Sequence, residues 1–254
     1  MNDFAAGEQR WIDGLGNLRN TIRQELIGRQ LAPHAEAGMT VLDVGCGQGT
    51  QALRLAARGC RVTGVEPSAD LRARCAADAS AQGLEIELLE GTIEGLGAVL
   101  ASRRFDLVCA HGLLMYLDDR ALAIAALAAR VGERGRVSIT VRNGHGLAMR
   151  PGLRGEWRAA LAAFDSLDYV NELGVGAVAD RIEDIEAHLA AVGLRTIDWF
   201  GVRVLNDAIP PTAPVPPAEQ LVDLLDAEDQ AGRRDPYRWL ASQLHVIAGS
   251  AGDG

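Results

Sequence analysis

The sequence predicts an α/β fold in which a mostly parallel sheet is covered by helices on both faces. Short apolar runs alternate with longer segments in which Ala, Leu and Arg follow a helical period, and this alternation indicates repeated strand–helix–strand crossovers. A glycine-rich loop separates the first apolar run from the first crossover helix, as in many sheets of this kind. The predicted strands are 39–44, 61–66, 85–89, 105–110, 135–142, 195–205 and 242–248.

Helical segments are predicted before the first strand, between the strands and near the C-terminus. Ser68, which follows a proline, is the expected N-cap of one of them. After residue 142 the rhythm breaks into a Gly-rich stretch, 143–178, predicted to be an irregular insertion on the substrate side. The Pro-rich stretch 210–217 is predicted to be a loop, and 1–254 a single domain whose residues 1–34 form an N-terminal cap helix. The predicted helices are 17–32, 49–58, 68–82, 93–102, 119–132, 179–192 and 218–229.

The charge composition excludes several kinds of chemistry. All 25 basic residues are Arg, so no lysine is present to form a Schiff base or to complete a phosphate-binding P-loop. With 34 acidic residues the formal net charge is -9, which argues against a protein that coats nucleic acid.

The cysteine spacing and the apolar pattern indicate a cytoplasmic protein. Cys46, Cys60, Cys75 and Cys109 show no CxxC spacing, so neither a metal site nor a disulfide framework is expected. The first residues lack the basic start and apolar run of a signal peptide. No apolar stretch approaches the roughly 20 residues that span a bilayer, so no membrane association is expected.

The strongest local signal is the segment VLDVGCGQG, with Asp43 followed by Gly45, Gly47 and Gly49. Glycines between a strand and a helix allow a sharp turn and let a ligand approach main-chain N–H groups. Glu66 ends the second strand, at a spacing where a carboxylate can accept hydrogen bonds from both hydroxyls of an adenosine ribose. The pattern therefore predicts an adenosine-containing cofactor.

The loop departs from the nicotinamide dinucleotide fingerprint G-x-G-x-x-G, because its sixth position is Thr50. The observed D-x-G-x-G-x-G resembles the first motif of the class I S-adenosylmethionine-dependent methyltransferases. Asp43 suits the cationic methionyl ammonium of that cofactor better than a diphosphate. The resemblance covers 39–142 and implies a Rossmann-like fold with a seven-stranded sheet, its last strand antiparallel to the rest, and S-adenosyl-L-homocysteine as product. It places the cofactor at Asp43, Gly45, Cys46, Gly47, Gly49, Glu66, Pro67, Thr92, Ile93, Glu94, Ala110 and His111.

Further strings resemble a narrower group, the bacterial tRNA methyltransferases that esterify carboxymethoxyuridine at the wobble position. The resemblance implies that Arg19, within the first string, grips the cofactor carboxylate. It also implies tRNA as the methyl acceptor. The strings, in the order of that group, are GNLRNTI (16–22), DVGCGQGTQA (43–52), RNGHGLAM (142–149), GVRVLND (201–207) and DPYRWL with LHV (235–246).

Candidate acceptor-binding residues follow the ends of the later strands. A carboxylate acceptor is ionised at neutral pH and needs a forked cationic donor rather than a general base. Arg142 and Arg203 are the predicted donors, with Asn143, His145 and Tyr237 as further candidates, although packing explains the last two about as well.

His111 could position the cofactor or act as a base toward a hydroxyl, and a structural role is the alternative. Arg150, Arg154 and Arg158 form a basic stripe that is expected to be a solvated helix face, with phosphate contact as the alternative.

Two other functions stay open at this point. Residues 168–180 carry no basic side chain, and the chain as a whole is acidic, which weakens the case for tRNA and makes a small-molecule O- or N-methyltransferase the alternative. A nucleotide-binding module without catalysis is the remaining alternative, and it would bind cofactor without turnover.

Overall fold

A seven-stranded sheet forms the centre of the molecule, as predicted. The structure is a computed structural model that describes residues 16–171, 173–210 and 212–250. The strand order is β3-β2-β1-β4-β5-β9-β8, and only β9 runs antiparallel to its neighbours. The strands are β1 (Thr40–Val44), β2 (Arg61–Val65), β3 (Ile86–Leu89), β4 (Phe105–His111), β5 (Val131–Arg142), β8 (Leu194–Val202) and β9 (Gln243–Ser250).

Helices cover both faces of this sheet, because both faces are apolar along most strands. One buried cluster joins the sheet to α4, α5 and α8, and a second joins the opposite face to α1, α2 and α9. The helices are α1 (Leu18–Leu31), α2 (Thr50–Ala57), α3 (Ala69–Ala81), α4 (Leu96–Leu100), α5 (Arg120–Ala128), α6 (Met149–Leu153), α7 (Trp157–Asp165), α8 (Ile182–Ala191) and α9 (Ala218–Gly232).

Local capping follows the sequence. Ser68 caps α3 as predicted, since its hydroxyl accepts the Leu71 amide at 3.3 Å. The described part of the predicted cap helix 1–34 forms α1 and a 3-10 turn, while 1–15 lie outside the described residues. The predicted loop 210–217 has no helix or strand at its described positions, and α9 starts directly after it.

The Gly-rich stretch 143–178 is more regular than the sequence analysis expected. It contains α6, α7 and a hairpin of β6 (Asp168–Val170) and β7 (Gly176–Val178). These elements are short, and their glycines and Pro151 obscure the periodicity that predicts longer elements.

The reversal of strand order between β1 and β4 positions the site. Crossovers from β1 lead one way along the sheet and those from β4 lead the other way, so the loops at their carboxyl ends diverge and leave a crevice. The glycine-rich loop after β1 and His111 at the end of β4 border this crevice.

Candidate functional site

A cavity of about 700 Å³ occupies the crevice at the carboxyl ends of β1, β2, β4 and β5. The hairpin β6–β7 and the turn after β6 lie beside it. Tyr169 donates from its hydroxyl to the Met115 sulfur at 3.3 Å, and the Asn171 amide donates to the Tyr116 hydroxyl at 2.9 Å. The residues of this hairpin thus join the 3-10 turn after β4 in lining the cavity.

The glycine-rich loop turns sharply along one wall. Gly49 has φ 87° and precedes the first residue of α2, and a Cβ on it would lie 2.4 Å from the Cys75 sulfur. A side chain at this position would be strained and would also collide with α3. Close packing against buried thiols, Cys75 beneath Gly49 and Cys46 against Gly64, therefore holds the loop in place.

Glu66 is fixed by the same loop. Its Oε2 accepts the Gly47 amide at 3.0 Å and its Oε1 accepts the Ser68 amide at 3.0 Å. The carboxylate is 7% exposed and lines the cavity. Because a carboxylate oxygen can accept more than one hydrogen bond, the group can accept ligand hydroxyls in addition to these amides.

Asp43 lies beside Glu66 at the end of β1 and is nearly fully buried. Burial and the charge of Glu66 together raise the pKa of Asp43 to about 7. Two carboxylates in one buried wall repel each other and attract a cation. These two carboxylates therefore suit a cofactor that carries a positive charge and the hydroxyls of a ribose.

The cavity wall opposite Asp43 and Glu66 combines apolar and polar groups. Pro67, Thr92, Ile93 and Glu94 line the cavity after β2 and β3, in the places predicted for them. His111 lines it at the end of β4, where burial and then the charge of Arg23 lower the pKa of the imidazole to about 3. The ring is therefore neutral at physiological pH.

Several arginines converge at the opposite end of the cavity on the carboxylate of Asp207. Arg150 donates from Nε to Oδ2 at 2.9 Å and from Nη2 to Oδ1 at 2.7 Å. Arg203 donates to Oδ1 at 2.9 Å, and Arg142 Nη1 lies 3.5 Å from Oδ2. Arg19 approaches Oδ1 at 3.4 Å. We call Arg19, Arg142, Arg150, Arg203 and Asp207 the arginine cluster.

Positive charge exceeds negative charge in the arginine cluster. Burial opposes ionisation of Asp207, but Arg203, Arg150 and Arg142 outweigh it and hold the pKa of Asp207 far below its usual range. Burial and the charges of the other arginines lower the pKa of Arg203 to about 9, against the pull of Asp207. The nearby carboxylate of Glu228 is occupied by the amides of 204–206.

Unused donors also remain in the arginine cluster. The Nε atoms of Arg142 and Arg203 are buried and have no hydrogen-bond partner among the residues that the structure describes. Buried donors without partners are costly. An anionic ligand in the cavity would compensate the excess positive charge of the cluster.

Not every predicted site residue lines the cavity. Gly49 and Ala110 lie behind the lining, and buried Arg19 contacts Asp207 instead. The Asn143 amide donates to the carbonyls of Trp239 and Ala241 at 2.9 Å each. The ring of His145 pairs with Glu183 at 2.9 Å outside the lining, and Tyr237 is exposed away from it.

The structure adds residues that the sequence analysis did not place in the site. Arg23 lines the cavity one helical turn beyond Arg19, and Arg150 lines it although the sequence favoured a solvated face. Asp207 belongs to the arginine cluster, and Ser242 contacts the cluster by accepting hydrogen bonds from Arg203 at 2.7 Å and Arg150 at 3.3 Å. Asp207 lies inside the GVRVLND string, which was the available signal for it.

Comparison with known proteins gives the class of this site. Residues 41–135 match the family described as Methyltransferase domain. The tRNA 5-carboxymethoxyuridine methyltransferase of Escherichia coli K12 is 26% identical over 98% of this chain and 95% of its own. A ubiquinone biosynthesis O-methyltransferase from Methylobacterium sp. (strain 4-46) is 35% identical, but over 49% of this chain and 55% of its own length.

Solved structures share the fold along nearly the whole chain. Magnesium protoporphyrin IX methyltransferase from Synechocystis PCC 6803, crystallised with S-adenosylhomocysteine, gives a TM-score of 0.65 at 16% identity and covers 98% of this chain and 97% of its own. A Burkholderia thailandensis 1,6-didemethyltoxoflavin-N1-methyltransferase with the same product bound gives 0.61 at 16% identity and covers 97% and 88%.

These findings indicate an S-adenosylmethionine-dependent methyltransferase, an enzyme that takes the methyl group from S-adenosyl-L-methionine. Within that class, the E. coli tRNA enzyme aligns from end to end, whereas the Methylobacterium quinone enzyme aligns over about half of the chain. Along 16–171, 173–210 and 212–250, no helix has the length and apolarity to cross a membrane. The same stretches contain no group of side chains arranged to hold a metal ion.

Proposed function

We propose that this enzyme methylates a carboxylate, and that the acceptor is a carboxymethoxyuridine of tRNA. The observation that carries the proposal is the arginine cluster, whose buried excess of positive charge adjoins the cavity through the lining residues Arg142, Arg150 and Arg203. A guanidinium binds a carboxylate through two parallel hydrogen bonds, so the cluster suits this anion. The relative in E. coli that aligns from end to end is a tRNA 5-carboxymethoxyuridine methyltransferase, so its acceptor has a carboxymethoxy group.

The cofactor occupies the acidic end of the cavity in this proposal. Glu66 accepts the ribose hydroxyls, and Asp43 balances the positive charge of the cofactor. Thr92, Ile93 and Glu94 surround the adenine. Bound S-adenosyl-L-methionine supplies an electrophilic methyl group on a sulfonium.

The protein contributes alignment and charge rather than proton transfer. An acceptor carboxylate is already ionised at pH 7, so its oxygen forms the new bond to the methyl carbon without a general base. The sulfur keeps the electron pair of the broken bond, and a methyl ester and a neutral thioether result. Arg142, Arg150 and Arg203 hold the acceptor in line with the methyl group.

A small-molecule O-methyltransferase is the second candidate. It is favoured by the net charge of -9, by the absence of basic side chains from 168–180 and by the partial match to a quinone enzyme. Such an acceptor attacks through a hydroxyl and needs a base, for which His111 is the neutral imidazole in the cavity lining.

The test is transfer from methyl-labelled cofactor into total tRNA and, in parallel, into a small-metabolite extract. We expect label in tRNA that mild alkali releases as methanol, because a methyl ester is hydrolysed whereas ethers and N-methyl groups are not. Label in tRNA that survives alkali would contradict the carboxylate. Label confined to the metabolite extract would replace tRNA with a small molecule, and cofactor binding without label anywhere would indicate a module without catalysis.

A matched pair of variants ties the activity to the arginine cluster. Arg142→Ala removes a cavity-lining guanidinium at the end of β5, and Arg134→Ala removes an exposed one from the same strand. Loss of transfer in the first variant alone, with cofactor affinity retained, is the expected result. Equal activity in the two variants would exclude Arg142 from acceptor binding.

A further inference from the structure

Four polar side chains form a chain of hydrogen bonds that runs across neighbouring strands of the sheet and ends at the cavity. It starts at Gln30 of α1, passes through His245 of β9 and Ser138 of β5, and ends at His111 of β4. Successive contacts are 2.7 Å from Gln30 Oε1 to His245 Nδ1, 2.8 Å from His245 Nε2 to Ser138 Oγ and 2.8 Å from Ser138 Oγ to His111 Nε2. The first three residues are at most 1% exposed.

The direction of every hydrogen bond follows from the amide of Gln30. Its Oε1 can only accept, so His245 carries its proton on Nδ1 and has a lone pair on Nε2. The Ser138 hydroxyl therefore donates to His245 and accepts from His111 Nε2–H. The proton of neutral His111 then lies on Nε2, and Nδ1 has the lone pair.

This lone pair has no hydrogen-bond partner along the part of the chain that the structure describes. His111 lines the cavity, and its Nδ1 is buried with no hydrogen-bond partner among residues 16–171, 173–210 and 212–250. Burial lowers the pKa of both imidazoles, that of His111 to about 3, so both rings are neutral and only the position of the proton is variable. Apolar side chains could fill these positions without the desolvation that buried polar groups require, so packing alone does not explain the chain.

We infer that Gln30, His245 and Ser138 are positioning residues that fix His111 as its Nε2–H tautomer and thereby present Nδ1 as an acceptor for an N–H or O–H group of a bound molecule. That group is the ammonium of the cofactor's methionyl portion or a hydroxyl of the methyl acceptor. The tautomer and the cofactor contact do not rest on the acceptor proposed above. In this arrangement Gln30 of α1 determines which ring nitrogen of His111 is free to bind a ligand.

The tautomer is directly measurable on the full chain labelled with 15N-histidine. Long-range proton–nitrogen NMR separates protonated from unprotonated ring nitrogens, and we expect His111 to be protonated on Nε2 and His245 on Nδ1. Reversal of the Gln30 amide would reverse every bond of the chain. A wild-type spectrum with the His111 proton on Nδ1 would therefore overturn the inference even if no variant folds.

A matched pair of variants separates positioning from packing. Ser138→Ala and Thr140→Val each remove a fully buried hydroxyl from β5, but Thr140 is not part of the chain. We expect Ser138→Ala to give mixed tautomers at His111 and Thr140→Val to leave the wild-type tautomer. An unchanged His111 tautomer in Ser138→Ala would contradict the positioning role.

Titration with S-adenosylhomocysteine identifies the donor. If the ammonium is the partner, this ligand shifts the His111 Nδ1 resonance and binds about 3–10-fold more weakly to Ser138→Ala, because mixed tautomers forfeit part of the charge-assisted hydrogen bond. If an acceptor hydroxyl is the partner, the resonance moves only when the acceptor is added, and the loss appears in KM for the acceptor. A resonance that neither molecule moves would refute the inference, whatever the acceptor is.

Discussion

The two ends of the cavity are built in opposite ways. The acidic end, proposed for the cofactor, comes from one continuous part of the chain, in which the loop after β1 holds Glu66 through the Gly47 amide. The arginine-rich end, proposed for the acceptor, collects the end of β5, α6, the turn after β8 and Ser242 before β9 around Asp207. The first depends on backbone geometry that a short motif specifies, and the second on long-range contacts between charges.

The ends also carry opposite charge. Asp43 and Glu66 repel each other at one end, whereas the arginine cluster has excess positive charge at the other. A cationic methyl donor and an anionic acceptor would each relieve the repulsion at its own end. Like charges therefore repel each other at both ends of the cavity, and substitutions should reveal the two repulsions separately.

The largest effect is expected from Asp207→Asn. It leaves several buried arginines without their shared carboxylate, so the free energy of unfolding should fall by about 3–5 kcal/mol. Denaturant unfolding measures the change. Asp226→Asn removes an exposed carboxylate that pairs with Arg29, and it should change stability by less than about 1 kcal/mol. If both substitutions change the free energy of unfolding equally, Asp207 does not offset repulsion among the arginines of the cluster.

Asp43→Asn should act in the opposite sense on stability. The folded protein holds the Asp43 proton up to a pKa of about 7, far above the value of an unfolded aspartate. Ionisation therefore destabilises the fold increasingly between about pH 4 and pH 7, and fully above that. At pH 8 the variant should be more stable by about 2–4 kcal/mol, with no difference at pH 4.

The same substitution should weaken cofactor binding. A cation favours ionised Asp43, so the wild-type affinity for S-adenosyl-L-methionine should fall as the pH drops below 7, and that of Asp43→Asn should not. Calorimetric titrations across this range measure both slopes. Parallel slopes would mean that Asp43 does not meet the cofactor charge.

Glu66→Ala has the smallest expected effect of the three. It removes the predicted ribose acceptor and should cost about 1–3 kcal/mol of cofactor affinity, as loss of charge-assisted hydrogen bonds does. Glu90→Ala, at an exposed carboxylate after β3 that pairs with Arg72, is the matched control. If the two variants bind the cofactor equally well, Glu66 is not the ribose ligand.

The contrast between the ends explains how far the sequence could predict the site. Strand and helix periodicity predicted the sheet, and the spacing from Gly45 to Glu66 predicted the acidic wall, because both depend on neighbours along the chain. Arg142 and Arg203 were predicted from strand ends, but their convergence on Asp207 was not, since it joins residues that are distant in sequence. Arg203 has φ 61°, which no side-chain pattern indicates.

Arg150 and Arg23 illustrate the same limit. A basic stripe at four-residue spacing favours a solvated helix face, yet tertiary packing turns Arg150 of α6 into the cavity. The resemblance pointed to Arg19, and the helical arginine in the lining lies one turn further on. The sequence shows where the charged residues are, but the direction in which each side chain points depends on tertiary contacts.

The buried thiols under the glycine-rich loop provide a covalent reporter of its opening. Cys46, Cys60, Cys75 and Cys109 are all buried and free, and burial raises the pKa of every one. Because the thiolate is the reactive form, alkylating reagents should modify the native protein only through transient exposure. The alkylation rate at Cys46 and Cys75 would then report how often the loop opens. A ligand that stabilises the closed loop would lower this rate.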